Sequence, residues 1–405
     1  MDNISKTRPT FSSEEALAVA ADGFGIDAAE AIPLPSDRDQ NFLIRDRASG
    51  RKVVLKVARA GADPKALDLQ NRMMEHLTRA GFPVPTVLFS KDGRTVIRLE
   101  GPGDNSFQVR LLNWLPGEQL YHVKPLGPDF LKRLGAFLGA MDLALEDFSH
   151  PAQDRNLKWN LRNAPGVIQS HLGHVEDQNR RELLERLAQK FLERLEPLVP
   201  ELRLGVIHGD ANDHNILVAP LQPGDDPDSR SLVGLLDFGD AGQSYTAGEA
   251  AIAGAYAMLG KSDPFTVATH LVSGYHRAFP LRDEEIAALF PLMGLRLCTS
   301  VAISAHQKKL EPHNDYLVVS EAPAWDLLER LDREILDIPT LLFRQACGVD
   351  PVPSSQGVMA WLESNGKGAS PVLGTTSLGG GGDNPGLRPV DPATAPAHIF
   401  DFRPD

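Results

Sequence analysis

The sequence predicts an α+β protein in two unequal lobes: a small antiparallel β-sheet with one helix, then a mostly α-helical lobe. Three observations carry that expectation. Short apolar runs broken by turn residues fill 32–57, in the rhythm of β-hairpins. From about 127 to 342, apolar residues recur at helical spacing instead. A chain of 405 residues is also too long for one ordinary core, so two or three lobes are expected.

Taken in order, Ser12-Ser13-Glu14-Glu15 is a capping-box pattern ahead of Ala16-Leu17-Ala18-Val19-Ala20, so a short helix opens the fold. Ile32-Pro33-Leu34 and Asn41-Phe42-Leu43-Ile44 read as strands around the polar turn Ser36-Asp37-Arg38-Asp39-Gln40. Ser49-Gly50 then turns the chain into Val53-Val54-Leu55-Lys56-Val57. On that strand Val54 and Lys56 share one face, with Val53, Leu55 and Val57 on the other. An ammonium there is either a solvated edge residue or a phosphate ligand, and the residues alone leave both open.

A helix over 64–80 uses Leu67, Met73, Met74 and Leu77 as its apolar set, and Gly81 and Pro83 stop it. Strands are expected over 84–89 and 95–99, followed by the apolar run 107–115, which crosses into the larger lobe. That lobe should hold helices over 127–145, 159–172, 180–195, 248–259, 264–278, 283–310 and 324–342. From Gly348 onward Gly and Pro dominate, with Gly379-Gly380-Gly381-Gly382 as the extreme, so this part reads as a tail or linker holding at most one helical turn over 358–362. The expected division is 1–113, 114–347 and 348–405.

The chemistry gathers in Val206-Ile207-His208-Gly209-Asp210-Ala211-Asn212-Asp213-His214-Asn215-Ile216-Leu217-Val218 and in Leu235-Leu236-Asp237-Phe238-Gly239-Asp240. Phosphoryl transfer needs an aligned nucleophile, held phosphates and neutralised charge, and little covalent help. Asp210 is placed to accept a hydrogen bond from an attacking hydroxyl, with Gly209 allowing a tight backbone path. Asn215 and Asp237 offer oxygens to magnesium, a hard ion that prefers them. Asp-Phe-Gly alone is weak evidence, whereas His-Gly-Asp with an Asn five positions on, joined to it, is strong. His208 and His214, six apart, suit neither helix nor strand ligation, so a loop-bracing role is expected for His208.

These motifs, with Asp39-Gln40-Asn41-Phe42 and Leu69-Gln70-Asn71, make the sequence similar to the aminoglycoside-phosphotransferase-like kinases, a branch of the protein-kinase-like fold. Within them it most resembles the hydroxylysine-kinase group, over about 16–346. The resemblance implies a five-stranded N-lobe, a hinge at Leu112 to Trp114 and a helical C-lobe. It also implies Asp210 as catalytic base, Asn215 and Asp237 as Mg²⁺ ligands, and Lys56 on the phosphates of ATP or GTP. Ser36, Gln40, Asn41, Gln70, Leu112 and Trp114 complete the expected nucleotide site.

Two departures stand out. Many relatives place a Glu on the N-lobe helix to pair with the strand Lys, and this chain has Gln70 there, able to hydrogen-bond Lys56 but not to neutralise it. Glu75 lies on another face of that helix, and the turn from Ser36 to Gln40 has no glycine. A hydroxylysine-like acceptor needs an anion for its ammonium, for which Asp240 and Glu249 are candidates. It needs a cation for its carboxylate, for which Arg296 and Ser300, four apart on one helix face, are candidates. Ordinary helix salt bridges and capping are the competing explanation for each.

The expected activity is therefore transfer of the γ-phosphoryl group to a hydroxyl of an amine or amino acid. Aminoglycoside, homoserine or choline-type acceptors are the alternatives, as is a catalytically silent nucleotide-binding scaffold. The tail resembles bacterial fusions that join such a domain to a pyridoxal-phosphate aminotransferase, which makes that enzyme a candidate functional partner. A formal net charge of −13 argues against nonspecific nucleic-acid binding. No uninterrupted apolar run approaches bilayer length, and the polar N-terminus shows no signal-peptide core. Cys298 and Cys347 have no metal-type spacing, and reduced thiols in a cytoplasmic protein are expected.

Overall fold

The computed structural model describes residues 8–36, 39–100, 105–123, 126–222, 224–310 and 320–352. Most of the expected tail, including the turn at 358–362, lies outside them, as do residues 37 and 38 of the phosphate turn.

Helix α1 (Ser13–Phe24) starts on the expected capping box. The Ser12 hydroxyl accepts from the Glu15 amide while the Glu15 carboxylate accepts from the Ser12 amide, satisfying two otherwise orphaned donors. The sheet that follows contains β1 (Ala28–Leu34), β2 (Gln40–Asp46), β3 (Lys52–Val57), β4 (Val87–Leu88), β5 (Ile97–Glu100) and β6 (Ser106–Asn113), all antiparallel. Its order is β1-β2-β3-β6-β4, with β5 also on β6. One edge of β6 is taken by β3, so β4 and β5 share the other end to end. Six strands therefore occupy the five positions that a five-stranded lobe would have. The strand expected over 84–89 shrinks to two residues because Pro83 and Pro85 carry no N–H for the ladder.

Alternation sorts the sheet into two faces. Val53, Leu55 and Val57 are buried together with Phe42, Ile44, Val109 and Leu111 beneath α1. Asn41, Val54, Lys56 and Leu112 line the cleft on the opposite face. Helix α2 (Pro64–Arg79), N-capped by Asp63, buries Leu67, Met73, Met74 and Leu77 as its pattern predicts. Met73, Met74 and Leu77 join the core of the large lobe, so this helix couples the lobes.

The large lobe holds α3 (Pro128–Ala144), α4 (Ala164–His171), α5 (Gln178–Leu195), α6 (Gly248–Met258), α7 (Pro264–Ala278), α8 (Asp283–Leu310), α9 (Glu321–Leu331) and α10 (Ile338–Ala346). The expected helix over 324–342 is thus two helices. Pro339, near the start of α10, cannot donate to the preceding turn, and the chain bends between them. Helices α3 and α7 pack backbone to backbone: a Cβ on Gly135 or on Gly274 would lie 1.9 Å from a carbonyl oxygen of the other helix. Helix α8 runs through the centre against α4, α5, α6, α9 and α10. Its 28 residues are long and apolar enough to cross a bilayer, yet 94% of its most apolar window is buried inside the protein, as for a core helix. Cys298, on α8, and Cys347 are both free.

Five short strands aim the two motif loops. β8 (Leu204–Ile207) pairs with β11 (Gly242–Tyr245), and β9 (Ile216–Val218) pairs with β10 (Leu232–Leu235) and β7 (Glu118–Gln119). The loop 208–215 leaves β8 and enters β9, while 236–241 leaves β10 and enters β11. Two strand pairs therefore clamp the two loops side by side.

Candidate active site

The loops touch at Gly209, whose φ is +76° and where an added Cβ would lie 2.8 Å from the Asp240 carbonyl oxygen. Only glycine fits both the left-handed backbone and the close approach. His208, fully buried, braces the joint: its Nε2 hydrogen-bonds the Leu236 carbonyl at 2.9 Å and its Nδ1 accepts from the Asp210 amide at 3.3 Å. Burial pulls its pKa down to about 4, so the ring is neutral in this role. From the other side, the Tyr121 amide donates to the Asp213 carbonyl and Gln119 donates to that of His214, whose ring stacks on Tyr121 at 4.3 Å.

Asp210 sits on the resulting ledge with a dense set of donors. Its Oδ1 accepts from Arg296 Nη2 at 2.7 Å and from Asn212 Nδ2 at 2.9 Å, and its Oδ2 accepts from Asn215 Nδ2 at 2.8 Å. Burial pushes its carboxyl up to about 7; Arg296 opposes the rise, whereas Asp240 and Asp237 add to it. Because Asn215 spends its amide nitrogen on Asp210, its Oδ1 is the atom left to meet a cation.

Asp237 is the only non-glycine among the described residues with positive φ, 57°. Its Oδ1 accepts from the Gly239 amide at 3.0 Å and lies 3.5 Å from Lys56 Nζ. A strained backbone of this kind persists where surrounding structure over-determines it, here between two clamped strands. Two oxygen donors, Asn215 and Asp237, lining one cleft suit magnesium, which binds one or two protein oxygens and keeps water and phosphate for the rest.

The cleft between the lobes has a volume of about 1470 Å³. That exceeds a typical small-molecule pocket and leaves room for a nucleotide and an acceptor together. Asp210, Lys56, Asn215, Asp237, Ser36, Asn41, Gln70, Leu112, Trp114, Asp240, Arg296 and Ser300 all line it. At its sheet end the register puts Asn41, Lys56 and Arg110 in one row across β2, β3 and β6. Ser36 closes the glycine-free turn through its hydroxyl, which donates to the Asp39 carbonyl at 2.5 Å.

Three expected roles are redirected. Gln70 does not bond Lys56: its Oε1 accepts from Arg110 at 2.7 Å, and Asn71 takes the same guanidinium at 2.8 Å. Lys56 turns to Asp237 instead. Gln40 is outside the cleft, because its amide is spent on the backbone N–H and C=O of Phe11, both at 2.8 Å. Glu249 is fully buried beneath the loop 208–215, where its carboxylate accepts from the Gly209 amide at 2.9 Å. It is a prop for that loop and cannot reach an ammonium in the cleft. Burial raises its pKa to about 7.

Sequence reasoning passed over Arg110, Arg155, Trp159 and Tyr256. Arg155 donates to the Gly239 and Ala241 carbonyls, while Trp159 and Tyr256 flank Arg296. An arginine inside the apolar run Phe107-Gln108-Val109-Arg110-Leu111-Leu112 was a readable signal for the first.

A two-lobed cleft with a sheet-borne lysine and paired Asp/Asn loops defines a kinase-like phosphotransferase architecture. The solved structure of a microcompartment-associated aminopropanol kinase shares this fold, with a TM-score of 0.63 at 20% identity over 78% of this chain and 97% of that one. The chain belongs to the phosphotransferase enzyme family (APH), whose family model matches residues 30–285. Hydroxylysine kinase of Mus musculus is 31% identical over 341 residues, covering 80% of this chain and 90% of the relative. Homoserine kinase of Zymomonas mobilis subsp. mobilis is 26% identical over 268 residues, covering 63% and 73%. The protein is accordingly a small-molecule phosphotransferase that acts on hydroxyl groups and is similar to hydroxylysine kinases.

Proposed function

We propose that the protein is a magnesium-dependent kinase that moves the γ-phosphoryl group of ATP or GTP to the hydroxyl of a hydroxy amino acid, with hydroxylysine preferred. The observation that carries this reading is one cleft lined by Asp210, Asn215, Asp237 and Lys56 and, along α8, by Arg296 and Ser300.

Lys56 and Asn41, with Arg110 behind them, hold the triphosphate, and the backbone near Leu112 and Trp114 receives the base. Asn215 Oδ1 and Asp237 would hold Mg²⁺, which when bound withdraws charge from the phosphate oxygens. Asp210 accepts a hydrogen bond from the acceptor hydroxyl and points its oxygen in line with the γ-phosphorus. A new O–P bond then forms, the bond to the β-phosphate bridging oxygen breaks, and Asp210 receives the hydroxyl proton.

The acceptor chemistry matches the ledge. In hydroxylysine the hydroxyl and the side-chain ammonium are on neighbouring carbons, so an anion must sit beside the base. Asp240 lines the cleft and is close enough to raise the Asp210 pKa. The carboxylate at the far end of the acceptor falls to Arg296 and to Ser300, one helical turn or about 5.4 Å further along α8. Hydroxylysine kinase and homoserine kinase among the relatives are both named for amino-acid substrates, which supports an acceptor of this kind.

A screen of hydroxylysine, homoserine, choline, ethanolamine, aminopropanol and aminoglycosides, with ATP and with GTP, tests the reading. Turnover of hydroxylysine with the highest kcat/KM is expected. Turnover of aminoglycosides alone, or activity surviving Asp210→Asn, removes it. The pyridoxal-phosphate aminotransferase partner is supported by the tail sequence alone, and co-purification with such an enzyme is its check.

A further inference from the structure

We propose that Arg296 is a latch on Asp210 that the carboxylate of the acceptor opens, so that nucleotide is consumed only when an amino acid fills the cleft. The proposal rests on the amino-acid reading of the acceptor given above and adds a control that this reading does not contain.

Arg296 is 1% exposed. Its guanidinium carbon lies 4.5 Å from the Trp159 ring centre and 5.5 Å from that of Tyr256. Nη1 donates to the Trp159 carbonyl at 3.0 Å and Nη2 to Asp210 at 2.7 Å, while Nε is buried with no partner. A cation removed from water in this way depends on its anion, and the carboxylate bonded to it is the catalytic one. Around it, Leu292, Met293, Leu295 and Leu297 are fully or almost fully buried, so the rest of this stretch of α8 is core. The cleft-facing residues continue instead as Ser300, Ser304 and Gln307. A charged side chain with one buried, unpartnered N–H and a run of hydroxyl and amide groups therefore lie together along one line of the helix.

The same contact limits Asp210. Its two oxygens already accept three hydrogen bonds, from Arg296, Asn212 and Asn215. A carboxylate offers about four such positions. With Arg296 in place, the base is nearly saturated and its charge is largely offset, which suits it poorly for aligning water. An acceptor carboxylate at Ser300, beside the guanidinium where Arg296 lines the cleft, gives it a second anion and loosens its hold on Oδ1. The freed lone pair is then available to the hydroxyl of the same molecule. If the acceptor lacks that hydroxyl, water takes its place: the water oxygen bonds the γ-phosphorus, the bond to the β-phosphate oxygen breaks, and Asp210 takes the water proton. Lysine is such a molecule, and 1,5-diaminopentane is lysine without the carboxylate.

The test is phosphate release from ATP and from GTP, with magnesium and the full chain, for wild type and Arg296→Met. Lysine is expected to raise wild-type release about tenfold or more, the scale of one charge-assisted hydrogen bond, and 1,5-diaminopentane to leave it unchanged. Arg296→Met is expected to release phosphate at the lysine-stimulated rate with nothing added, and to ignore lysine. Equal effects of lysine and 1,5-diaminopentane on wild type would overturn the proposal. So would an Arg296→Met rate at or below the unstimulated wild type while nucleotide still binds. If that variant does not fold, the two wild-type arms decide alone. Failure of the amino-acid reading shows separately, as no transfer to hydroxylysine or homoserine by wild type, and the acceptor-free variant arm does not depend on it.

Discussion

At the sheet end of the cleft Lys56 and Arg110 stand side by side on neighbouring strands, whereas at the loop end Asp210 is bonded to the buried guanidinium of Arg296, and Asp237 and Asp240 line the same cleft. The first end is built around cations. Arg110 is 3% exposed and is met by two neutral amides, Gln70 and Asn71, where relatives of this type are expected to supply a glutamate. Burial lowers its pKa, and Asp39 and Asp237 are the charges that oppose the fall. The second end is built around carboxylates, with Arg296 bonded to Asp210. On the proposed function each end would meet the opposite charge: phosphates at the strands, ammonium and metal at the loops. The ends also differ in construction. Strand register places the cations, while two clamped loops place the carboxylates, so the loop end is the easier to disturb.

The largest expected effect breaks the loop end chemically. Asp210→Asn should lower kcat by about 10³-fold or more with nucleotide affinity little changed, read by steady-state kinetics beside nucleotide titration. A comparable loss in affinity would move Asp210 from chemistry to binding.

Glu249→Gln comes next and concerns the prop beneath the loop. The Glu249 carboxyl is raised from 4.5 to about 7, so between those values the folded state binds more protons than the unfolded one. Its contribution is therefore intact at low pH and is lost as pH rises toward 7. Glutamine can still accept from the Gly209 amide and cannot ionise. The variant should gain about 1–3 kcal/mol at pH 8 relative to pH 5, compared with wild type, in denaturant titrations at both values. A pH dependence identical to wild type would contradict the assignment.

Gly209→Ala should cost about 1–3 kcal/mol of stability and most of the activity, since φ of +76° and a 2.8 Å contact to the Asp240 carbonyl both resist a side chain. Thermal melts and kcat measured together test whether the two loops act as one unit; a stable, active variant would show that they do not.

At the sheet end the effects are smaller. Arg110→Met should weaken triphosphate binding about tenfold and leave the nucleoside unaffected, in calorimetry with ATP and adenosine and with GTP and guanosine. Gln70→Glu, which supplies the residue expected from relatives, should also weaken triphosphate binding, because it neutralises Arg110 and leaves Lys56 as it was. Tighter binding in Gln70→Glu would restore the conventional pairing with Lys56 and end the contrast between the two halves.

Much of this was legible in the chain itself. Helical periodicity located α2, α3, α5, α7 and α8, the capping box started α1, and alternation put Lys56 on a different face from Leu55. The loop positions of Asp210, Asn215 and Asp237 were readable because each sits in a short loop whose flanking apolar strands are local sequence features. These readings succeed because hydrogen bonds within a helix and side-chain alternation along a strand depend on residues only a few positions apart. Partner choice across the chain was not legible. Gln70 could not be assigned to Arg110, 40 positions away, nor Gln40 to Phe11, nor Arg296 to Asp210, 86 positions away. Glu249 read as a candidate for the cleft because nothing in its neighbours reveals that β8 and β11 fold the loop 208–215 over it. The sequence by itself determined which chemical groups the protein owns and the local element that carries each. The tertiary structure alone decided which of them meet, because a buried charge or amide takes whichever partner the packed core brings within hydrogen-bond distance.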